Sequence, residues 1–559
     1  MTIFDFLDAK KDSTTPLVSW INRGQLEHLN QAEYKEYICK TVSILKRNGL
    51  KKGDRICLMA TTSLEWHLFD MAIMAIGAST VPIFPTISHH DLLESFKLLK
   101  PTAIVTNLDL ETDIKRIDCS LENIRDEESN FQLSDVTKSL TGSDLACVLM
   151  TSGTTGKPKV MEFRHEQLYI MLASIRSRMN SKITSNSKSH TALPLSHVLG
   201  RCDSLLHLVL NTTTQYGTGL ENLRDDLKIT RPHYFITIPF ILSKMVNSMK
   251  KEVEQANPLK KHLFQLLINS SKSFLRDENP GHYHTMIFLR AQKFFKDILK
   301  KQGLGNLKFI VVGGGRVNKD DFNFFEAIGI NVLQGYGLTE TLGPLTVSDF
   351  NDHHYESVGL PFKNVEIAFA EDGEILVKSP YLFDGYLNNN QSHFTSDGFY
   401  KSGDIGELNE KSQLKITDRK KDIVITAQGV HLSPQKIESL FQGCNFIEKI
   451  VVLGDHHPYL CALVSTHKTR LSELIDLGIV SPNITAKEIP HDKAVIKAIQ
   501  KEIDEVNKIL SEPEKIKEFI ILPIRLEPEG DFMTPSLKIK RTLLYNKFKK
   551  EIDAMYHNH

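Results

Sequence analysis

The sequence predicts an α/β protein of two domains, a large N-terminal domain and a small α+β C-terminal domain. At 559 residues the chain is too long for one compact core. Near-continuous apolar runs at 102–107, 144–152, 233–239 and 307–315 end in Asn, Ser, Pro or Gly and alternate with helical segments. Strands that are buried on both faces have this pattern, so we expect parallel sheets covered by helices in the large domain.

A change of pattern marks the end of the large domain. From residue 358 onward, short strands with Gly turns (EDGEILVKSP, then DGFYKSGDIGEL) predict a small antiparallel or β-barrel-like subdomain. The charged stretch TDRKKD at 417–422 follows, and beyond it come short strands, an amphipathic helix at 434–441, a hairpin around GDHHPY and longer helices. We therefore divide the chain into residues 1–418, a connecting motif at 419–422, and residues 423–559.

Composition and charge exclude several classes of protein. Hydrophobic residues make up 41% of the chain and charged residues 24%, which is ordinary for a globular protein. The 68 Lys and Arg residues balance 68 Asp and Glu residues, so the basic excess of a nucleic-acid-binding protein is absent. The N-terminus does not have the pattern of a secretory signal, and the most apolar stretch, 71–84, is shorter than the ~20 residues that a membrane helix needs. We expect a soluble, cytoplasmic protein.

The cysteines are scattered and form no CxxC pair, so neither a structural zinc site nor a disulfide framework is predicted. They are Cys39, Cys57, Cys119, Cys147, Cys202, Cys444 and Cys461. A reducing compartment is the simplest setting for seven such thiols.

The strongest local motif is TSGTTGKPK at 151–159, directly after a predicted strand. Its glycines make the loop flexible, its N–H and O–H groups can surround phosphate oxygens, and its lysines add positive charge. It is not a Walker A loop, because only two residues separate Gly153 from Gly156 and Pro158 stands where Ser or Thr would bind magnesium. The motif predicts a phosphate-binding loop and disfavours a P-loop kinase or ATPase.

Further motifs follow this loop in a fixed order. They are LPLSHVLGR (193–201), GGG (313–315), QGYGLTET (334–341), YKSGD (400–404), DRKKD (418–422) and LKIKR (537–541). In these motifs, in GDRICLMATTSLEWHLFDMAIMAIGASTVPIFPT (53–86), and over nearly its whole length, the sequence resembles the adenylate-forming (AMP-binding) superfamily. This superfamily includes acyl-CoA synthetases, peptide-synthetase adenylation domains and luciferases. The resemblance implies ATP-dependent activation of a carboxylic acid as acyl-AMP, release of pyrophosphate, and transfer of the acyl group to a thiol.

The resemblance assigns ATP or AMP binding to residues of these motifs. They are Thr151, Ser152, Gly153, Thr154, Thr155, Gly156, Lys159, Gly313, Gly314, Gly315, Gln334, Gly335, Tyr336, Gly337, Asp404 and Arg419. Tyr336 offers an aromatic face on which adenine can stack, Asp404 can accept both ribose hydroxyls, and Arg419 resembles the arginine that contacts ribose and phosphate. The triple glycine is not a GxGxxG motif, so a Rossmann dinucleotide site is the weaker interpretation.

Four residues are expected to act at the reacting groups. Lys538 would bridge the carboxylate and the α-phosphate and offset the repulsion between two anions. Thr339 would lie near the α-phosphate, and His197 beside the reacting carboxylate, where Val198 and Leu199 would wall an acyl tunnel. Glu340 is a hard oxygen ligand for Mg²⁺, with Thr155 as a second candidate.

The resemblance also implies that the small domain is mobile. In this superfamily it rotates about a hinge in the DRKKD motif, and the matching position here is Lys421. Rotation would withdraw Lys538 and present the loop at Gly429 to the pantetheine tunnel, which is a form of hinge motion at a loop position. Val160 and Leu537 depart from the superfamily pattern, because glycine is usual at both positions.

The acid is expected to be a fatty acid, because TPSLKIKR and DRKKDIVITAQGVHLSPQKIE resemble the motifs of long-chain acyl-CoA synthetases. We predict an AMP-forming long-chain fatty acid–CoA ligase, an acid–thiol ligase that uses ATP, Mg²⁺ and CoA. Two alternatives stay open: a fatty acyl-AMP ligase that loads a phosphopantetheine carrier protein, and a non-catalytic nucleotide-binding relative. No nucleic-acid partner is expected.

A basic, amphipathic region at 245–301 suggests peripheral contact with the inner face of a membrane. Its phenylalanines stand among lysines: Phe264, Phe274, Phe288, Phe294 and Phe295. A solvated helical face over a protein core is the alternative interpretation of the same pattern.

Overall fold

Two large sheets form the frame of the N-terminal domain. The structure is a computed structural model that describes residues 1–9, 14–152, 158–179, 183, 186–255, 257–276, 282–387, 393–466, 472, 475, 480–481, 483–485, 487–526, 530, 532–534 and 538–557. The strands of this frame are β1 (Val18–Asn22), β2 (Gln25–Leu29), β3 (Arg55–Met59), β4 (Ser79–Pro82), β5 (Ala103–Thr106), β6 (Lys115–Asp118), β7 (Leu145–Ser152), β8 (Pro158–Arg164), β9 (Ser187–Thr191), β10 (Thr212–Tyr216), β11 (Tyr234–Thr237), β12 (Phe309–Val312), β13 (Asn331–Leu338), β14 (Gly343–Val347) and β15 (Leu360–Pro361). The four predicted buried runs are β5, β7, β11 and β12.

Helices cover both sheets, as expected for parallel strands with apolar side chains on both faces. They are α1 (Phe4–Ala9), α2 (Gln31–Arg47), α3 (Leu64–Ala75), α4 (His89–Leu99), α5 (Leu121–Asp126), α6 (Leu133–Thr137), α7 (His165–Met179), α8 (Val198–Val209), α9 (Leu223–Thr230), α10 (Pro239–Glu254), α11 (Pro258–Arg276), α12 (His282–Lys301) and α13 (Lys319–Ala327). The predicted fold class, an α/β domain with helix-covered parallel sheets, is confirmed.

The nine-stranded sheet has the order β15-β14-β13-β12-β11-β9-β10-β1-β2, and its central strands are parallel. The six-stranded sheet has the order β6-β5-β3-β4-β7-β8, parallel except for the β7–β8 hairpin. One buried ion pair joins the two layers. Arg201 of α8 donates to both oxygens of Asp70 of α3, at 2.8 and 2.9 Å, and both side chains are almost wholly buried.

The predicted small subdomain is an antiparallel sheet of four strands. It comprises β16 (Glu366–Phe369), β17 (Glu374–Lys378), β18 (Tyr400–Leu408) and β19 (Leu414–Arg419), in that order. The sequence analysis predicted an antiparallel or a β-barrel-like subdomain, and these four strands pair as an open antiparallel sheet. The 3₁₀ turn Lys420–Asp422 ends this part of the chain.

The C-terminal part is an α+β unit with apolar clusters on both faces of its sheet. Its elements are β20 (Val424–Ile425), β21 (His431–Leu432), α14 (Pro434–Ser439), β22 (Ile447–Leu453), β23 (Leu460–Thr466), α15 (Lys493–Asn507), β24 (Ile516–Ile521), α16 (Arg541–Lys547) and α17 (Lys549–His557). Side chains alternate along a strand, so Ala462 packs in the cluster with Ile499 of α15, and Leu463 in the cluster with Leu544 of α16. The exact domain boundary at 419–422 stays a prediction.

Four helices of the large domain, α10 to α13, form a bundle with a phenylalanine core. Phe264 of α11 packs edge-on against Phe295 of α12, with ring centroids 5.5 Å apart, and lies 6.3 Å from the ring of Phe324 of α13. Phe264 and Phe295 are buried, so they belong to the core and not to a membrane-facing surface. Phe288 and Phe294 are half-buried, and the burial of Phe274 lies outside the described side chains.

The small domain rests on this bundle and on the edge of the large domain. The side chain of Asn318 donates a 3.0 Å hydrogen bond to the carbonyl oxygen of Ser439. The amine of Lys449 lies 4.5 Å from the ring centroid of Phe240, and that of Lys540 lies 3.7 Å from a carboxylate oxygen of Asp91.

Two expectations about the chain as a whole can be compared with the structure. Among the helices of the described ranges, none has the length and apolar character needed to cross a bilayer. All seven cysteines are free thiols, and six of them are buried.

Candidate active site

The β18–β19 hairpin brings Asp404 and Arg419 together. The two residues are cross-strand partners, and Arg419 Nε lies 3.3 Å from Asp404 Oδ1. Tyr336, at the end of β13, donates its hydroxyl to Asp404 Oδ2 at 2.9 Å. Burial raises the pKa of Asp404, and Arg419 and Tyr336 counteract this rise. A carboxylate has about four acceptor positions, so Asp404 can still accept hydrogen bonds from two ligand hydroxyls.

Glu340 lies in the 3₁₀ turn Thr339–Thr341 that follows β13. The hydroxyl of Thr341 fixes this turn, because it accepts from the backbone N–H of Leu338 at 2.9 Å and donates to the carbonyl of Gly343 at 2.8 Å. The neighbouring Thr339 is half-buried. The turn therefore presents Thr339 and Glu340 at one end of β13, beside Tyr336.

Tyr386, which the sequence analysis did not select, holds Glu340, and Tyr400 stands beside Tyr386. Tyr386 donates its hydroxyl to Glu340 Oε1 at 2.5 Å, and its oxygen lies 3.2 Å from the hydroxyl of Tyr400. Lys159 stands over the ring of Tyr386, 4.6 Å from its centroid. Tyr400 is part of the YKSGD motif, so that motif could have indicated it; Tyr386 lies in no motif of the sequence analysis.

The predicted phosphate-binding loop joins the antiparallel strands β7 and β8. Thr151 and Lys159 face each other across this hairpin, which places Lys159 at the base of the loop. Gly153, Thr154, Thr155 and Gly156 lie outside the described residues, as does the side chain of Ser152. Their assignment to ATP phosphates, and that of Thr155 to magnesium, stays a prediction.

Val160 is part of β8, and its side chain is buried. It packs in a cluster with Val81, Val148 and Ile104, on the opposite side of the strand from Lys159. The departure from the superfamily's glycine therefore fills the core beneath the six-stranded sheet. Leu537, the second departure, lies outside the described residues.

Glycines lie where β13 passes close to its neighbours, α8, β12 and β14. A Cβ atom at Gly313 would lie 3.5 Å from Leu199 and 3.7 Å from the carbonyl oxygen of Gly335. A Cβ at Gly337 would lie 2.2 Å from the carbonyl oxygen of Gly343, so no other residue fits there without a backbone shift. Gly314 has φ +79°, and Gly315 follows it.

The side chain of Gln334 is occupied elsewhere. Its amide donates to the carbonyl oxygen of Tyr355 at 2.5 Å and to those of His354 and Ser357 at 3.3 Å. Its backbone is bonded as well, with the N–H donating to the Ser348 hydroxyl at 3.3 Å and the carbonyl accepting from the Ser348 N–H at 2.9 Å. The side chain positions the loop that follows β14, and the predicted contact of Gln334 with the nucleotide stays a prediction.

His197 is the N-cap of α8, and its Nδ1 accepts the backbone N–H of Leu199 at 3.2 Å. Burial, and then the charge of Lys538, lower the pKa of His197 to about 4. The imidazole is therefore neutral near pH 7 and carries its proton on Nε2, because Nδ1 is the acceptor. His197 can donate one hydrogen bond to an anion beside Lys538.

The backbone of Lys538, in the small domain, is hydrogen-bonded to Thr534. Its backbone N–H donates to the Thr534 hydroxyl at 3.0 Å, and its carbonyl accepts from the Thr534 N–H at 2.7 Å. The side chain is accessible to water in the cleft, although protein surrounds its amine. This partial desolvation, and then the charge of Arg419, lower the pKa of Lys538; Asp404 and Glu340 oppose the effect. The amine thus lies within electrostatic range of both carboxylates.

Lys421 joins the same group of charges, whereas Gly429 makes its contacts within its own turn. Burial, and then Arg419, lower the pKa of Lys421, and Lys159 contributes in the same direction. Gly429 has φ +77° and donates its N–H to the carbonyl oxygen of Thr426 at 2.8 Å, between β20 and β21. The predicted roles of Lys421 as a hinge and of Gly429 in a CoA tunnel stay predictions.

An apolar pocket of about 10 Å³ lies beside the first two turns of α8. It is lined by Leu149, Leu168, Met171, Val198, Arg201, Cys202, Leu205 and Leu342. Val198, Cys202 and Leu205 share one face of the helix, within about two turns of His197. A cavity of this size holds about one water molecule, so an acyl chain can enter only if these side chains move.

Magnesium fits this site as an ion shared with ATP. Among the described residues, no group of three His, Cys, Asp or Glu side chains could hold a metal ion by itself. Glu340 supplies one hard oxygen ligand, and Mg²⁺ commonly combines one or two carboxylates with substrate phosphates.

The site combines two carboxylates, Asp404 and Glu340, with the cations Arg419 and Lys421 and with Lys538 from the small domain. Such a combination is typical of enzymes that bring two anionic groups together. The comparison with known families agrees with this class. The profile of the AMP-binding enzymes matches residues 8–387, and that of the AMP-binding enzyme C-terminal domain matches residues 421–559. The chain belongs to the AMP-binding enzyme family.

Curated relatives match most of the chain. A long-chain-fatty-acid–CoA ligase of Mycobacterium tuberculosis is 27% identical over 538 residues, covering 91% of this chain and 89% of its own. Long-chain-fatty-acid–CoA ligase 1 of Schizosaccharomyces pombe is 24% identical over 611 residues, covering 98% of this chain and 89% of its own.

Solved structures share the fold. The adenylation domain of a carboxylate reductase from Mycobacterium chelonae superposes with a TM-score of 0.76 at 18% identity, covering 100% of this chain and 91% of that one. The o-succinylbenzoate CoA synthetase of Bacillus subtilis, solved with ATP and a magnesium ion, gives a TM-score of 0.68 at 19% identity, covering 97% of this chain and 98% of that one.

Proposed function

We propose that this protein activates a long-chain fatty acid with MgATP and transfers the acyl group to CoA. One observation carries the proposal: the small domain places Lys538 within electrostatic range of Asp404, Glu340 and Arg419. A mobile domain that delivers a cation to two carboxylates and an arginine is suited to joining two anions. The names of the curated relatives, at 24–27% identity, support the fatty acid and CoA.

In the first step a carboxylate oxygen attacks the α-phosphorus, and the bond between that phosphorus and the pyrophosphate oxygen breaks. Lys538 would lie between the carboxylate and the α-phosphate and reduce their repulsion. His197 would orient the carboxylate through Nε2–H, and Thr339 would donate to the α-phosphate. Asp404 and Tyr336 would hold the nucleoside, and Arg419 would contact ribose and phosphate.

Magnesium would be held by Glu340 and the phosphates, where it neutralises charge on the leaving pyrophosphate. The hydrogen bond from Tyr386 engages Oε1 of Glu340, so Oε2 would be the oxygen offered to the ion. Lys159 adds charge at the base of the phosphate loop.

In the second step the thiol of CoA attacks the acyl carbon, and the bond to the AMP oxygen breaks as the thiol proton leaves to solvent. Lys538 is not needed there, and rotation of the small domain at Lys421 would bring the Gly429 turn toward the incoming pantetheine. We propose that the reaction takes place in the cytoplasm, with peripheral contact at the inner face of a membrane, where long-chain acids reside.

The test is release of AMP and pyrophosphate from purified protein with MgATP and a panel of saturated and unsaturated acids, with and without CoA. We expect AMP and acyl-CoA only when CoA and a long acid are both present. Pyrophosphate release with retained acyl-AMP, indifferent to CoA, would instead identify a ligase that loads a carrier protein. No release with any acid would contradict an acid-activating enzyme.

A further inference from the structure

The helices α11 and α12, which we call the basic hairpin, carry an excess of positive charge, whereas the chain as a whole is neutral. The helix α11 has four Lys or Arg residues and no acidic residue, and α12 has five and a single Asp. The whole chain is balanced at 68 basic and 68 acidic residues. The hairpin is therefore a concentrated positive region on a neutral protein.

Large apolar side chains of the hairpin are exposed beside this charge. They are Leu259 at 78%, Leu289 at 62%, Leu266 at 49%, Met286 at 45% and Leu263 at 41% exposure. In α11 the three leucines follow a spacing of four and then three residues, so they form one stripe along the helix. The sequence analysis selected phenylalanines of this region, but the structure turns Phe264 and Phe295 inward and these side chains outward.

The two apolar stripes point away from the same core. In α11 the buried residues Phe264 and Ile268 lie on the opposite side of the helix from the leucine stripe, and in α12 Phe295 lies opposite Met286. Phe264 and Phe295 pack against each other. Because both helices bury these faces in one shared core, both apolar stripes face outward from the bundle.

Exposed lysines stand on the same outward side. Lys296 and Lys300 of α12 are exposed and lie on the helix face that carries Leu289, as their spacing of seven and eleven residues requires. On α12 an apolar side chain that can enter lipid is thus flanked by amines that can reach phosphate headgroups.

We propose that the basic hairpin docks the protein on an anionic lipid bilayer. Leucine and methionine side chains inserted to headgroup depth, with lysines at the phosphates, are the usual basis of interfacial helix binding. A second copy of the chain fits the surface poorly, because a two-fold contact would oppose two basic faces. The choice of a bilayer also rests on the proposed function, whose fatty substrate partitions into membranes.

The test is co-sedimentation of the full-length protein with vesicles, without ATP, acid or CoA. Vesicles of phosphatidylcholine alone are compared with vesicles that also contain phosphatidylglycerol, at rising salt. We expect binding to the anionic vesicles, falling with salt because exposed charges are screened. Failure of the proposed reaction would leave this result unchanged, so the two proposals are tested separately.

Two hairpin variants are compared with one matched control. Leu259→Gln/Leu289→Gln removes apolar insertion, and Lys296→Glu/Lys300→Glu reverses two charges; each is expected to weaken binding at least tenfold. The control, Ile509→Gln/Leu543→Gln, changes exposed apolar residues of the small domain and should keep the wild-type affinity. An unchanged thermal midpoint verifies folding of each variant.

Three results would overturn the proposal. The first is no binding of the wild type to anionic vesicles, and the second is an equal loss in the control. The third is a dimer in solution that Leu259→Gln/Leu289→Gln dissociates, because the surface would then be an interface between copies. As an independent check, Leu263→Trp should show fluorescence quenching by brominated lipids, and Ile509→Trp should not.

Discussion

At the residue scale, the pKa of Lys538 is the property of the site that experiment can test most directly. Its side chain is accessible to water, yet desolvation of the amine and then Arg419 lower its pKa, while Asp404 and Glu340 oppose that change. The amine therefore loses its proton at a lower pH than the amine of a free lysine does. The pH dependence of the first step should therefore report on this one group.

Replacing Lys538 by Ala should lower the rate of ATP–pyrophosphate exchange about 100- to 1000-fold, the size of effect found when one transition-state donor is removed. Acyl transfer from preformed acyl-AMP to CoA should change little. In the wild type, exchange should fall on the alkaline side below the ordinary lysine pKa of about 10.4, because the protonated amine is the active form.

The variant Lys538→Arg separates charge from geometry. Arginine keeps its charge to a pH above about 12, so the alkaline loss should move upward even if the maximal rate is reduced. An unchanged alkaline limb in this variant would show that another group titrates.

At the same scale, the sequence shows which residues belong to the site better than it shows which residues contact each other. Asp404 and Arg419 could be selected from motifs, but their contact depends on the register of β18 and β19. Tyr386, which holds Glu340, lies in none of the selected motifs, and only the fold brings it to the turn after β13. Val160 could be recognised as a departure, whereas its buried position in the core could be read only from the alternation of β8 in the folded sheet.

At the scale of elements, the contact between α10 and β22 stabilises the observed arrangement of the two domains. The amine of Lys449 lies over the ring of Phe240, and burial lowers the pKa of Lys449. The side chain of Asn318 adds a hydrogen bond nearby. These contacts hold the small domain where Lys538 meets the cleft, so they should support the first step only.

Phe240→Leu keeps an apolar side chain but removes the aromatic face. Because a cation–π contact contributes about 0.5–1 kcal/mol at a partly exposed site, ATP–pyrophosphate exchange should fall roughly two- to fivefold. Thioester formation from preformed acyl-AMP should be unaffected. The matched control is Phe131→Leu, which removes the similar contact of Lys46 within the large domain and should leave exchange unchanged.

Elements were easier to predict from sequence than their relative placement. The apolar runs give β5, β7, β11 and β12, because buried parallel strands have a continuous apolar pattern. The basic hairpin shows the opposite case: its amphipathic pattern was visible, but the side of each helix that faces the core depended on α10 and α13. The long-range packing of the bundle therefore decided which apolar residues are exposed.

At the scale of the whole molecule, the buried pair of Asp70 and Arg201 joins the two sheet layers. The helix α3 follows a strand of the six-stranded sheet and α8 a strand of the nine-stranded sheet, and the pair is their bidentate connection. α8 also carries His197 at its N-cap. A break in this connection should therefore affect both stability and the position of the site.

Arg201→Met or Asp70→Leu alone should lower the free energy of unfolding by about 3–5 kcal/mol, because each leaves a buried charge without its partner. The double variant should recover most of the loss, and urea unfolding of the full chain measures all three. The exposed pair of Lys508 and Glu505 is the control, since Lys508→Met should cost less than about 1 kcal/mol. Single variants that are as stable as the wild type would contradict this role.

The proposed reaction makes the reactivity of the seven cysteine thiols important. An acyl-adenylate is a mixed anhydride that acylates sulfur, and the reactive form of sulfur is the thiolate. Burial raises the pKa of every cysteine, to about 11 for Cys39 and about 12 for Cys202, Cys444 and Cys461. The protein therefore holds its cysteines as unreactive thiols, which protects these side chains from acylation by the activated acyl group until an external thiol arrives.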